Sequence, residues 1–84
     1  MGIVWSKHAR QRQKEWYRQR GITWEDVEAV VRAPEQVATG HAGLLVAQSH
    51  LDGGLLRVPF VEVEGRRKIV TLYWTSQLER YWED

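Results

Sequence analysis

Arg66–Thr75, reading RRKIVTLYWT, holds the densest run of strand-forming residues in the chain. Ile69, Val70, Thr71, Leu72, Tyr73, Trp74 and Thr75 follow one another without a break. β-Branched and aromatic side chains of this kind suit a pleated, half-buried surface. Alternation divides the run between two faces. Val70, Leu72 and Trp74 are uniformly apolar and are expected to face a core, whereas Ile69, Thr71, Tyr73 and Thr75, the last three with hydroxyl groups, are expected to line a working surface. The run predicts a central strand, covered on one side by the rest of the chain.

Working outward, Leu55–Glu64 (LLRVPFVEVE) predicts the preceding strand, with Gly65 in the turn between them. Leu56, Val58 and Phe60 share one face of it; Arg57 and Val61 share the other. Pro59 has no N–H for a ladder, which predicts a bulge or an edge position. Asp52-Gly53-Gly54 is a turn signal, Leu44–His50 a strand, Gly40–Gly43 a turn and Glu35–Thr39 a short extended segment. Gly2–Trp5 reads as an edge strand or a tail anchored by Trp5. Gln77–Asp84 reads as a short terminal segment that packs back through Leu78, Tyr81 and Trp82.

Between these flanks lie two helices. Ser6 suits an N-cap, and Lys7–Arg20 runs without Gly or Pro until Gly21, placed as the left-handed residue after a helix. The apolar face of this helix is thin, comprising Ala9, Trp16 and Tyr17 with the stems of Arg12 and Arg20, so it depends on tertiary support. The second helix starts at Thr23, with Asp26 completing a capping box and Ile22 and Val27 spaced as a hydrophobic staple. Trp24, Val27, Val30 and Val31 form its expected buried stripe, and Pro34 ends it. Helices followed by strands predict an α+β fold: two N-terminal helices packed on one face of a three- to four-stranded antiparallel sheet, the other face open.

Composition narrows the function classes. The 84 residues, 43% hydrophobic and 27% charged, suit one domain with a modest core. No cysteine means no disulfide framework, thiolate metal site or cysteine nucleophile. No apolar run reaches the roughly 20 residues that span a bilayer, and MGIVWSKHAR is too short in apolar residues for a secretory signal, so a cytoplasmic, non-membrane protein is expected. His8, His41 and His50 lack metal-ligand spacing, and no phosphate-binding glycine loop or nucleophile elbow occurs; no metal or cofactor is expected. Net charge is +1, yet Lys7–Arg20 carries six basic residues against Glu15 alone. That asymmetry marks either a polyanion-binding face or an ordinary solvated helix.

Several ordered motifs resemble known families. Ser6-Lys7-His8-Ala9, Arg20-Gly21-Ile22-Thr23, Ala33-Pro34-Glu35 and Val70-Thr71-Leu72-Tyr73 resemble a prokaryotic domain-of-unknown-function (DUF) family. More distantly, Gly21-Ile22-Thr23-Trp24-Glu25, Gly65-Arg66-Arg67 and Glu79-Arg80-Tyr81 are similar to BrnT toxins, near the RelE-like fold of toxin ribonucleases. The resemblance, from about Ser6 to Tyr81, implies a single small two-helix, antiparallel-sheet domain, a toxin-type endoribonuclease controlled by an antitoxin protein. BrnT-like last strands carry more arginine than Ile69–Thr75 offers.

Metal-independent RNA cleavage needs a base, an acid and cations around the reacting phosphate. His8 is the candidate acid/base, since imidazole titrates near neutrality; it would otherwise support the helix–sheet junction. Arg57 and Tyr73 complete the expected catalytic set. Arg20, Lys68, Arg12 and Thr71 are the expected RNA- or phosphate-binding residues. Arg20 equally suits the C-terminal dipole of the first helix, and Arg57 and Lys68 suit strand positions that discourage edge pairing. Trp24 and Trp74 are expected in the core, with Trp5 and Trp82 open to partners. The rival expectation is a non-catalytic protein- or RNA-binding module on the same fold, or a homo-oligomer built through a sheet edge.

Overall fold

The longest strand, β4 (Gly54–Val63), organises the molecule, which is described over residues 2–84 by a computed structural model. On one side β4 pairs antiparallel with β3 (Leu45–Leu51), which in turn pairs with β2 (Gln36–Thr39). On its other side lie β5 (Arg66–Ile69) and β6 (Tyr73–Thr75), end to end. β1 (Ile3–Trp5) closes that edge by pairing parallel with β5. The class is α+β, as expected, but the sheet is mixed and six-stranded rather than antiparallel with three to four strands.

The local signals in the sequence act as their chemistry dictates. Helix α1 spans Lys7–Arg20; the Ser6 hydroxyl accepts from the Ala9 N–H at one end, and Gly21 closes the other at φ 70°. Helix α2 spans Trp24–Arg32 with the Thr23/Asp26 capping box complete. Both tight hairpin turns, Asp52-Gly53 and Glu64-Gly65, have positive φ at both residues, the geometry that matches strand twist. Gly54 is confined for a different reason: a Cβ there would lie 2.2 Å from the Thr75 carbonyl oxygen.

The helices cover one face of the sheet. Ala9, Ile22, Val27, Val30 and Val31 meet Ala47, Leu56, Val58, Phe60, Ile69 and Leu72, all buried. Each such aliphatic or aromatic side chain contributes about 1.5–3 kcal/mol by leaving water. Arg67 seals a corner of this layer, lying 4.7 Å from the Phe60 ring centroid and donating from Nη1 to the Val31 carbonyl, one of the orphan acceptors at the end of α2. Trp24 departs from expectation: it is 55% exposed, because the first position of α2 lies on the outer side while the three valines take the buried stripe.

Arg66–Thr75 is not one strand. Phe60 pairs with Ile69 and Arg57 with Tyr73, so Val58 and Pro59 stand opposite Val70, Thr71 and Leu72. That one extra residue is a bulge, and it reverses the alternation. Ile69 therefore faces the core instead of the open surface, while Leu72 and Trp74 remain on the helix side and Tyr73 on the other. Pro59 is the local cause. Its carbonyl accepts from the Val70 N–H at 2.9 Å, and its missing donor falls on the same edge, where the ladder is interrupted.

The second face is not bare. The terminal segment forms a short helix α3 (Leu78–Tyr81) and returns across β2 and β3. Gln36 donates to the Glu83 carbonyl, Gln48 to the Tyr81 carbonyl, and the Trp82 ring lies 4.5 Å from that of His50.

Candidate functional site

Alternation along β4 sends Arg57 to the face opposite the helices, where its cross-strand partners are Gln48 on β3 and Tyr73 on β6. Arg57 is only 8% exposed. Its Nε donates to Gln48 Oε1 at 2.8 Å and its Nη1 to the Tyr73 hydroxyl. The Tyr81 ring covers the guanidinium, with its centroid 4.1 Å away. Gln48, fully buried, also donates to Gln36 Oε1 at 2.6 Å and to the Tyr81 carbonyl at 3.1 Å.

Arg57, Tyr73 and Tyr81 of this cluster line a groove of about 580 Å³, together with His41, Thr71, Arg80 and the carboxylate-bearing Glu83. Among the described residues no carboxylate approaches Arg57 within salt-bridge distance. No buried side-chain donor among them lacks a partner, so the uncommitted Nη2 edge of Arg57 is the part that reaches the groove. A buried guanidinium without a counter-ion costs several kcal/mol in desolvation. Two acceptors and a π face offset part of that, and an incoming anion would offset more. Burial raises the Tyr73 pKa above its ordinary value of 10.0, against the opposing pull of Arg57. Near neutrality Tyr73 is thus a neutral phenol that can donate a proton or hydrogen bond but not serve as a base.

Of the residues singled out from sequence, the fold brings together Arg57, Tyr73 and Thr71. His8 lies exposed in the first turn of α1, and no α1 residue lines the groove. Arg12 pairs with Glu15 at 2.9 Å. Arg20 stacks on the Trp74 ring, 3.4 Å from its centroid, in a cleft on the helix side. Lys68 is exposed on β5, opposite Val61. Sequence reading missed His41, Gln48, Arg80 and Tyr81. Gln48 had a signal: a polar residue in step with Val46 inside an apolar strand. Arg80 and Tyr81 had a partial one, since the terminal segment reads as packing back through Tyr81 and carries Glu79-Arg80-Tyr81, but which face it returns to is a tertiary matter. Among the described residues no cluster of His, Asp and Glu could hold a metal ion, and no helix is long and apolar enough to cross a membrane.

The family pattern described as Domain of unknown function (DUF4258) matches residues 5–74. The chain belongs to the DUF4258 family. The matched span of this DUF4258 domain runs from β1 to β6 and includes Gln48, Arg57, Thr71 and Tyr73, but ends before Arg80 and Tyr81. Fifty-eight residues of the domain are 38% identical to part of a pyrophosphate–fructose 6-phosphate 1-phosphotransferase of Thermoproteus tenax. The match takes in 69% of this chain but 17% of that protein, so the chain spans about a sixth of its length. No solved structure matches this chain.

Proposed function

We propose that this domain is a toxin-like module of the RelE/BrnT type that holds an RNA strand by a backbone phosphate in the Arg57 groove and cleaves it without a metal. One observation carries the proposal: Arg57 is a nearly buried cation that lines a groove, with no carboxylate among the described residues within salt-bridge distance of it. A phosphate oxygen pair suits its guanidinium in charge and geometry. In the reaction, the 2′-hydroxyl would attack the neighbouring phosphate, the 5′-oxygen would leave, and a 2′,3′-cyclic phosphate would form. Arg57 and Arg80 would stabilise the added negative charge. Tyr73, held protonated, would hydrogen-bond a phosphoryl oxygen or the leaving group. His41, on the groove wall, is better placed than His8 to move the proton.

The test is incubation of the purified domain with end-labelled RNA in a chelator. Cyclic-phosphate products are expected, with the rate lost in Arg57→Ala, lowered about 10²-fold or more in His41→Ala, and largely kept in His8→Ala. A second reading, a non-catalytic binding module on the same fold, is favoured by the Tyr81 ring lying across the guanidinium. Intact RNA with Arg57-dependent binding would select it. Absence of both cleavage and binding would exclude RNA as the ligand. An antitoxin protein or a second copy of the domain would then be sought by light scattering and co-purification.

A further inference from the structure

A different surface carries aromatic rings and unpaired cations together. Arg10, Lys14 and Arg18 are exposed and recur every four residues along α1, so they form a stripe whose successive positions are about 6 Å apart along the helix axis. None of the three is in an ion pair or side-chain hydrogen bond with a described residue, unlike Arg12 in the same helix. Beside the stripe stand Tyr17, 57% exposed, and Trp24, 55% exposed. Trp5 and Trp24 flank a cleft of about 270 Å³ whose remaining wall is Arg10, Gln13 and Lys14. A second hollow of about 320 Å³ continues along the helix past Tyr17 and Arg18, sharing Gln13, Lys14 and Trp24 with the first. No carboxylate lines either one.

We propose that this outer face of α1, with Trp24, binds single-stranded nucleic acid: a base enters between Trp5 and Trp24, and successive phosphates lie on Arg10, Lys14 and Arg18. The chemistry matches on both counts. Indole faces accept a base of any sequence, and cations one helical turn apart track the repeat of a phosphate backbone. An acidic peptide would satisfy the cations but would not require two indoles flanking a slot. The cluster also explains why α2 starts with an exposed tryptophan, which contributes nothing to its buried stripe. This surface shares with the Arg57 groove only the assumption that RNA is the ligand, and no residue lines both.

Fluorescence anisotropy with a short labelled oligouridylate tests it. The triple variant Arg10→Ala, Lys14→Ala, Arg18→Ala should bind at least tenfold more weakly, and its slope of log affinity against log salt should fall by about 2, at about 0.7 per lost contact. Trp24→Ala should weaken binding about five- to a hundredfold, and Trp24→Phe should recover most of the loss. All these side chains are exposed, and thermal melting verifies folding. In the unaltered protein, quenching of tryptophan emission by the oligonucleotide reports the same stacking without any substitution. Arg66→Ala, which removes an exposed β5 cation outside both surfaces, should leave this affinity and its salt slope unchanged. Loss of binding in Arg57→Met with none in the triple variant would overturn this surface and leave the groove standing. Equal competition by polyglutamate, no binding by the unaltered protein, or an unaltered Kd in Trp24→Ala would overturn it as well.

Discussion

The two faces of the sheet are built from the same strands and obey opposite rules. On the helix side, Leu56, Val58 and Phe60 alternate into an apolar layer that α1 and α2 cover. On the other side, the intervening positions of the same strands present Gln48, Arg57 and Tyr73, covered in part by the terminal segment around Tyr81. One layer is held by non-directional burial, the other by a chain of directional bonds with a charge at its centre. Burial tolerates imperfect geometry but not lost volume. A polar network tolerates neither a missing partner nor a misplaced one. The contrast also divides the two faces by chemistry: the apolar face buries aliphatic and aromatic side chains, and the polar face encloses a cation for which an anionic ligand is proposed.

The largest expected effect lies on the apolar face. Phe60→Ala should cost about 3–5 kcal/mol in a urea titration, because it removes a fully buried ring from the helix–sheet core and leaves a cavity. A much smaller loss would mean that the helix layer is loosely packed. Next comes Gln48→Leu, which removes the Arg57 Nε acceptor and leaves a buried charged donor unpaired; about 2–3 kcal/mol is expected by the same measurement. A neutral result would show that the polar face is not a connected network. Tyr73→Phe should cost about 1.5 kcal/mol, the low end for a hydrogen bond to a charged group, and leave the fold intact.

Two titrations sharpen the comparison further. The folded protein holds the Tyr73 proton more tightly than the unfolded chain does, so stability should fall as pH rises above 10.0, where only the unfolded state ionises freely. Ultraviolet titration should show a tyrosine step above pH 10.0 that Tyr73→Phe removes. At the far edge of the polar face, Glu35 accepts from the backbone N–H and the ring of His50, at 3.0 and 2.7 Å. Those bonds hold its pKa below 4.5. Their contribution is present above that pH and is lost as pH falls through the lowered value. Since the pair is exposed, Glu35→Gln should remove only a shallow acid dependence of the melting temperature.

Much of the fold was legible in the sequence, and little of the site. Ser6, Gly21, Thr23 with Asp26, and Pro34 mark the helix ends where the structure has them. Leu56, Val58 and Phe60 were readable as one face, with Arg57 on the other. The strand Arg66–Thr75 misled because seven consecutive strand-formers hide a bulge whose cause, Pro59, lies on the neighbouring strand. Trp24 misled because its size suggests burial, whereas its place at the start of α2 leaves it outside. In the groove, Arg57, Thr71 and Tyr73 came from the sequence, but His8 belongs to a helix on the other side of the sheet. Gln48, Tyr81, Arg80 and His41 join only through pairing and chain return.

What the sequence alone determined are the features settled within a few residues: helix caps, the two positive-φ turns and the step of apolar side chains along β4. Such features depend on short-range sterics and hydrogen bonds, which neighbouring residues set by themselves. The tertiary structure decided the parallel docking of β1, the reversal of alternation at residues 70–72 and the enclosure of Arg57 by Tyr81. Each of these brings distant segments into register, and no local preference encodes which partner lies opposite.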